Sequence, residues 1–174
     1  MKQYKAEMWD KMQKIMERYN DHMTHTYLEF DTMLDFDTLK RAFANAMEKA
    51  PILKSRYKEN FFRACWEEMN IDINKIVKFT ETDDPKTVSE KFLCGKIDEK
   101  NEPQIKALLV RSHGKDTLNI LKNHMVMDGG SIKLFLDFLS EIYSDLSFGG
   151  NGDIPFENGC RGEEQIYHDF SNEE

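Results

Sequence analysis

The sequence has little of what marks several common protein classes. Its three cysteines, Cys65, Cys94 and Cys160, are widely spaced and odd in number, which argues against a disulfide framework and favours a reducing, cytoplasmic setting. No apolar run approaches the roughly 20 residues needed to span a bilayer. Residues 1–13, MKQYKAEMWDKMQ, lack the apolar stretch of a secretory signal. We therefore expect a cytoplasmic protein without a membrane partner.

Basic residues are also in the minority, with 24 Lys and Arg against 32 Asp and Glu and a formal net charge of −8. This balance argues against non-specific binding to nucleic acid or to anionic membranes. There is no P-loop, GxGxxG or CxxC motif, so we infer no nucleotide or redox cofactor. His22 and His25 have HxxH spacing, but no second pair of good ligands lies nearby in sequence, and we predict no metal site.

One stretch, residues 117–131 (TLNILKNHMVMDGGS), combines residue types suited to chemistry. Apolar and polar residues alternate at its start, which predicts a half-buried strand ending at His124. Asp128 and a glycine pair follow, and apolar residues then recur at helical spacing over 132–146. Histidine can take and return a proton near neutral pH. The pattern therefore predicts a possible general base at a strand end, ahead of a helix.

Helical and strand patterns alternate along the chain, as is typical of an α/β fold. We predict helices over 3–20, 35–49, 84–95 and 132–146, and strands over 24–33, 52–59, 61–68, 76–80, 102–110 and 117–123. Asp35 and Asp84 are expected N-caps. The strands over 102–110 and 117–123 are expected to pair as a hairpin through a turn at 114–116, and those over 52–59 and 61–68 as a hairpin joined near residues 59–60. Methionines and a tyrosine at helical spacing in the first helix predict core or interface packing.

Domain organisation follows from a change of composition near residue 148. Residues 1–148 are predicted to form one domain. Residues 149–174 begin with a glycine-rich break and continue as an acidic segment with little patterning, which predicts an exposed or partly ordered tail.

The motif resembles the active-site signature of the chloramphenicol acetyltransferase-like superfamily, His-His-x-x-x-Asp-Gly. That superfamily includes the condensation domains of peptide synthetases. Here the signature is Asn123-His124-Met125-Val126-Met127-Asp128-Gly129, with Asn in place of the first His. The resemblance implies that His124 is the general base and that Asp128 and Gly129 support the active-site loop. The amide of Asn123 could orient that loop or contact substrate, but it cannot act as an acid or base.

A second segment, Lys49-Ala50-Pro51-Ile52-Leu53-Lys54-Ser55-Arg56-Tyr57, resembles an earlier motif of the same superfamily. There an Arg after Leu pairs with the motif aspartate. Lys54 occupies that position here and Arg56 follows two residues later. On a strand both would project from one face, so either is expected to pair with Asp128 and thereby support the loop.

The resemblance implies a fold and a function. The fold is α/β, a mixed and largely antiparallel sheet with helices mainly on one face, corresponding to the N-terminal half of an acetyltransferase-like fold. The function is acyl transfer from a CoA or carrier-protein thioester, as co-substrate, to a small hydroxyl or amine acceptor, with no tightly bound cofactor. Because one half leaves the site open, we expect a second half-domain or a homo-oligomer as partner. The alternative is a non-catalytic binding or scaffolding half-domain.

Overall fold

Seven strands and five α-helices make up the part of the chain that the computed structural model describes, residues 1–59 and 63–157. In chain order they are β1 Gln3–Lys5, α1 Met8–Met16, β2 Met23–Phe30, α2 Phe36–Lys49, β3 Ser55–Glu59, β4 Ala64–Glu68, α3 Ile73–Ile76, β5 Val77–Glu81, α4 Pro85–Leu93, β6 Ile105–Ser112, β7 Lys115–Asn123 and α5 Gly129–Ser147. A 3₁₀ helix, Pro51–Lys54, precedes β3.

The strands form two sheets. The larger has the order β2-β7-β6-β5, and the smaller has the order β1-β4-β3. Every pairing is antiparallel except that of β5 with β6, which is parallel. The predicted mixed, largely antiparallel α/β architecture is confirmed, as is the hairpin that joins β6 to β7.

Successive side chains of β7 point to opposite faces of the larger sheet. Leu118 and Ile120 belong to the main apolar cluster, which also contains the buried side chains of α2 and α5. On the other face the Asn119 side chain donates to Oγ of Ser89, in α4, over 3.0 Å. The two longest helices therefore cover one face of the sheet and α4 covers the other.

Two helix starts follow from their capping residues. Oδ1 of Asp35 accepts from the backbone N–H of Thr38 over 2.7 Å, at the start of α2. Oδ1 of Asp84 accepts from the backbone N–H of Thr87 over 3.1 Å, at the start of α4, where Pro85 is the first helical residue. Both predicted N-caps are confirmed, because the carboxylates satisfy amides that have no partner within the helix.

The N-terminal segment differs from the single helix predicted over 3–20. Its first residues form β1, in which Tyr4 lies opposite Trp66 of β4, and only Met8–Met16 is helical. The apolar stripe of this helix does not reach the core, since Met8, Met12, Ile15, Met16 and Tyr19 are between 43% and 78% exposed. The prediction that these side chains pack in the core is therefore wrong. Packing at an interface stays a prediction.

The chain after α5, predicted to be an exposed or partly ordered tail, is ordered against the helices as far as residue 157, although most of its residues are exposed. The Asn45 side chain in α2 donates to the Gly152 carbonyl oxygen over 3.2 Å, and Lys49 pairs with Asp153 at 2.6 Å. Phe156 stacks on Phe138 of α5 with ring centroids 4.3 Å apart. Residues 149–157 thus return across α2 and α5. The rest of the predicted tail, 158–174, lies outside the described residues, as does residue 60 of the turn predicted near 59–60.

None of the described helices is both long and apolar enough to cross a lipid bilayer.

Candidate functional site

His124 lies immediately after the last residue of β7, where the strand turns toward α5. Its backbone N–H donates to the carbonyl oxygen of His22 over 2.8 Å, which fixes the start of the loop to the chain just before β2. The side chain is half-buried. Its imidazole makes no hydrogen bond to any residue in the described ranges. A held backbone thus carries an imidazole that no hydrogen bond of the described chain engages.

Asn123, which replaces the first His of the signature, is buried. Its side chain lies on the face of β7 opposite to Leu118 and Ile120. Its Nδ2 donates to Oε1 of Gln104 over 3.1 Å, and its Oδ1 accepts from the backbone N–H of Met125 over 3.0 Å. Of the two roles open to this amide, orienting the loop is the one that these bonds support. Both polar atoms of its side chain thus form hydrogen bonds within the protein.

Asp128 is the N-cap of α5. Its Oδ1 accepts from the backbone N–H of Ser131 over 2.7 Å. The hydrogen bonds from Ser131, joined by the amide of Gly130, hold the pKa of the Asp128 carboxyl below its usual range. Beside it, Gly129 faces open space, since a Cβ there would meet nothing within 4 Å. The carboxylate therefore occupies the N-terminal amides of the helix and keeps its charge there.

Lys54 does not lie on a strand, contrary to the prediction. It is the last residue of a 3₁₀ helix. That helix begins at Pro51, since proline favours the first position of a helical turn. Its Nζ pairs with Glu48 at 2.6 Å and with Glu68 at 3.0 Å. Burial lowers the pKa of Lys54, but the two carboxylates outweigh that effect and raise it. The expected ion pair between Lys54 and Asp128 is replaced by these contacts.

Arg56, in β3 of the smaller sheet, is also paired with a glutamate. Its Nε and Nη2 donate to Oε2 of Glu67 over 2.9 and 2.6 Å, and Lys58 pairs with the same carboxylate at 2.7 Å. Lys58 and Arg56 together lower the pKa of Glu67 to about 2. The structure therefore brings neither predicted cation to Asp128, because acidic side chains of α2 and β4 lie closer to both.

A different cation, which neither family-like motif includes, lies beneath the motif loop. Lys122, in β7, is 2% exposed. Its Nζ donates to Oγ1 of Thr24 over 2.6 Å and to the carbonyl oxygen of Met127 over 2.8 Å. Burial lowers the pKa of Lys122 to about 8, and the charge of Asp128 opposes that shift. The sequence contains a signal of this burial. Lys122 follows Ile120 by two residues on a strand, so the two side chains point to the same face of the sheet.

A cleft of about 410 Å³ lies beside α4, away from the motif. It is lined by residues such as Phe92, Leu108 and Leu121, and none of the motif residues lines it. Among the described residues no group of three or more His, Cys, Asp or Glu side chains is arranged to hold a metal ion. The candidate site therefore centres on the half-buried His124.

A histidine at the end of a central strand, followed by a capping Asp-Gly at a helix start, matches the resemblance to the acetyltransferase-like fold drawn from the sequence. The family model of the condensation domain matches residues 7–170. The chain belongs to the condensation domain family, and it corresponds to the N-terminal half of that fold. The family recognised in the sequence is thus confirmed.

Solved structures with the same fold support this assignment. The first condensation domain of the calcium-dependent antibiotic synthetase, in complex with a substrate analogue, has a TM-score of 0.77 at 17% identity. The starter condensation domain of the rhizomide synthetase RzmA, in complex with C8-CoA, has a TM-score of 0.76 at 13% identity. The tallysomycin biosynthesis protein TlmII has a TM-score of 0.70 at 15% identity. No curated protein matches the sequence.

The chain is much shorter than these relatives. The match to the antibiotic synthetase domain covers 91% of this chain but 41% of that one. The corresponding values are 95% and 40% for the RzmA domain and 82% and 38% for TlmII. At these identities the likeness establishes the fold alone.

Proposed function

We propose that this chain takes part in acyl transfer from a CoA or carrier-protein thioester to a small hydroxyl or amine acceptor, with His124 as general base. The observation that carries the proposal is the state of His124. Its backbone is fixed by His22, while its half-buried imidazole has no hydrogen-bond partner among the described residues.

In this reaction the imidazole of His124 removes the proton from the acceptor as the acceptor oxygen or nitrogen attacks the thioester carbonyl carbon. The carbon–sulfur bond then breaks, and the imidazolium returns the proton to the leaving thiolate. Base assistance of this kind contributes about 10²–10⁴-fold. Asp128 and Gly129 do not take part in these proton transfers. They lie at the start of α5, where Asp128 caps the helix and Gly129 faces open space.

The reaction requires a second wall to hold both substrates against His124, since the cleft of about 410 Å³ beside α4 is lined by none of the motif residues. We propose that a second half-domain, or a second copy of this chain, supplies that wall. The exposed apolar stripe of α1 supports an association, because exposed patches of this kind are typical of interaction surfaces. The same stripe favours the alternative function, in which the half-domain only binds or scaffolds a partner.

An assay of thiol release from C8-CoA in the presence of small amines and alcohols tests the catalytic proposal. C8-CoA is a rational first donor because a structural relative was solved with it. We expect His124→Ala to abolish acceptor-dependent thiol release. The matched control is His25→Ala, an exposed histidine of β2, which should leave the rate unchanged. Equal turnover by His124→Ala and the wild type would exclude His124 as the base.

Measurement of mass in solution, by light scattering, tests the partner. Ile15 in α1 and Leu134 in α5 are 66% and 67% exposed, so they form a matched pair. If α1 is the contact between copies, Ile15→Glu should yield monomers and Leu134→Glu should not. An assembly that persists in Ile15→Glu would contradict this use of α1. A stable assembly without thiol release, from any acyl-CoA or acylated carrier protein, would support the scaffolding function.

A further inference from the structure

Lys122 is a buried lysine held by uncharged partners. Lysine is almost never fully buried unless its ammonium is paired, yet Nζ of Lys122 donates to a hydroxyl, Oγ1 of Thr24, and to a backbone carbonyl, that of Met127. No carboxylate in the described ranges forms a direct ion pair with it. The charged group that faces it from the loop is Asp128. The cost of burying this charge indicates that the position has a role beyond packing.

The partners of Lys122 show what it connects. Thr24 lies in β2, and Met127 lies at the far end of the loop, next to Asp128. The near end of the loop is joined to the same side of the sheet, because the His124 N–H donates to the carbonyl oxygen of His22. Residues 124–127 are therefore attached at both ends to the β2 segment, once by a backbone hydrogen bond and once through Lys122.

We propose that Lys122 is the positioning residue of the motif loop. It ties Met127 to Thr24 and presents a positive charge to Asp128, the role that the resemblance assigned to Lys54 or Arg56. Those two side chains pair with glutamates of α2 and β4 instead. The consequence for catalysis rests on the proposed function of His124, whereas the effect on loop order does not.

Amide hydrogen exchange measured by NMR tests loop order without any substrate. The reporters are the hydrogen-bonded amides of His124, Met125 and Val126. In Lys122→Met we expect them to exchange about tenfold faster than in the wild type, the effect of losing roughly one hydrogen bond. The amides of the β6–β7 ladder should not change in parallel. The matched control is Lys54→Met, which removes another buried lysine and should leave the loop reporters unchanged.

A pH series separates the charge of Lys122 from its packing. Its pKa of about 8 means that the ammonium loses its charge within an accessible range, while the neutral amine still donates to Thr24 and Met127. Among the described residues, the charged group that acts on it is Asp128. Because the folded-state pKa of Lys122 lies below 10.5, its ordinary value, an open loop binds the proton more readily than the closed loop does. After correction for intrinsic exchange, loop protection should therefore rise as pH rises from about 8 in the wild type and in Lys54→Met. That rise should be absent from Lys122→Met.

Two results would overturn the proposal. One is unchanged exchange of the loop reporters in Lys122→Met, and the other is a uniform acceleration that includes the β6–β7 ladder, as ordinary global destabilisation would produce.

If Lys122→Met does not fold, Thr24→Val removes the hydroxyl partner and must accelerate exchange at the same reporters. Loss of thiol release in Lys122→Met with normal loop exchange would contradict positioning. Normal positioning in a protein that never turns over would instead contradict only the proposed catalysis.

Discussion

Asn123 and Gln104 are joined twice: the backbone N–H of Asn123 donates to the Gln104 carbonyl oxygen over 3.0 Å, and its Nδ2 donates to Gln104 Oε1 over 3.1 Å. Gln104 in turn donates from Nε2 to the carbonyl oxygens of Ser55, Glu99 and Glu102. The residue that departs from the family signature is thus a structural junction. It connects the motif strand to the start of β6 and to the smaller sheet.

Truncation of Asn123 should therefore destabilise the protein. Asn123→Ala leaves Oε1 of Gln104 and the Met125 amide without their buried partner, and we expect the free energy of unfolding in urea to fall by about 1–3 kcal/mol. Asn74→Ala is the control, because Asn74 is exposed and bonds only to nearby exposed side chains. It should cost no more than about 0.5 kcal/mol. Equal losses in the two variants would show that the junction contributes nothing.

Asp128 should act as a helix cap rather than as an ionic partner of Lys54. We expect Asp128→Ala to lower the free energy of unfolding by about 0.5–2 kcal/mol and Asp128→Ser, which can still accept from the Ser131 amide, to recover most of it. In a double-mutant cycle with Lys54→Met, the two effects should add within about 0.5 kcal/mol. A coupling well above that value, measured by urea unfolding, would restore the pairing inferred from the family resemblance.

Glu67 should make stability depend on pH in acid. Lys58 and Arg56 lower its folded-state pKa from 4.5 to about 2, so the unfolded chain binds the proton more readily than the folded one. The stabilisation is fully present above pH 4.5 and is lost as pH falls through about 2. Urea unfolding between these values should show a fall in stability for the wild type. Glu67→Gln should be flatter over the same window, and an identical profile would exclude the contribution.

Gly152 should tolerate no side chain. Its φ is +72°, and a Cβ would come within 2.5 Å of Nδ2 of Asn45 and 3.0 Å of Leu146. Gly149 has a φ of +87° with nothing within 4 Å, so Gly149→Ala costs only the backbone strain of about 1–2 kcal/mol. We expect Gly152→Ala to lose roughly a further 1–3 kcal/mol from the collision. Similar melting temperatures for the two variants would contradict the packing of residues 149–157 on α2 and α5.

The sequence predicted best what is decided locally. The caps at Asp35 and Asp84, the β6–β7 hairpin and the helix after Asp128 each depend on residues within a few positions, and all of them are present. The helical spacing of Tyr4 with later residues suggested a longer first helix. Tyr4 lies in a strand instead, because its partner Trp66 is distant in sequence and no local pattern reveals it.

The supports of the motif loop were harder to predict for the same reason. A cation near Asp128 was expected from the family pattern, and Lys54 or Arg56 fitted it by position. Which carboxylate each cation pairs with depends on how α2 and β4 pack. That packing places glutamates beside both cations. The side of β7 to which Lys122 points was readable from alternation, but its partners on β2 were not.

The attachment of the loop to β2 has a consequence for the order of folding. The hydrogen bond from Lys122 to Thr24 joins residues 98 positions apart in the chain, and closing so long a segment carries a large entropic cost. We therefore expect the β6–β7 hairpin to form early and the His124 loop to become ordered only after the first 24 residues have docked. A shorter chain that begins after β2 would retain the hairpin and the sequence motif, but it would have no strand to hold the histidine.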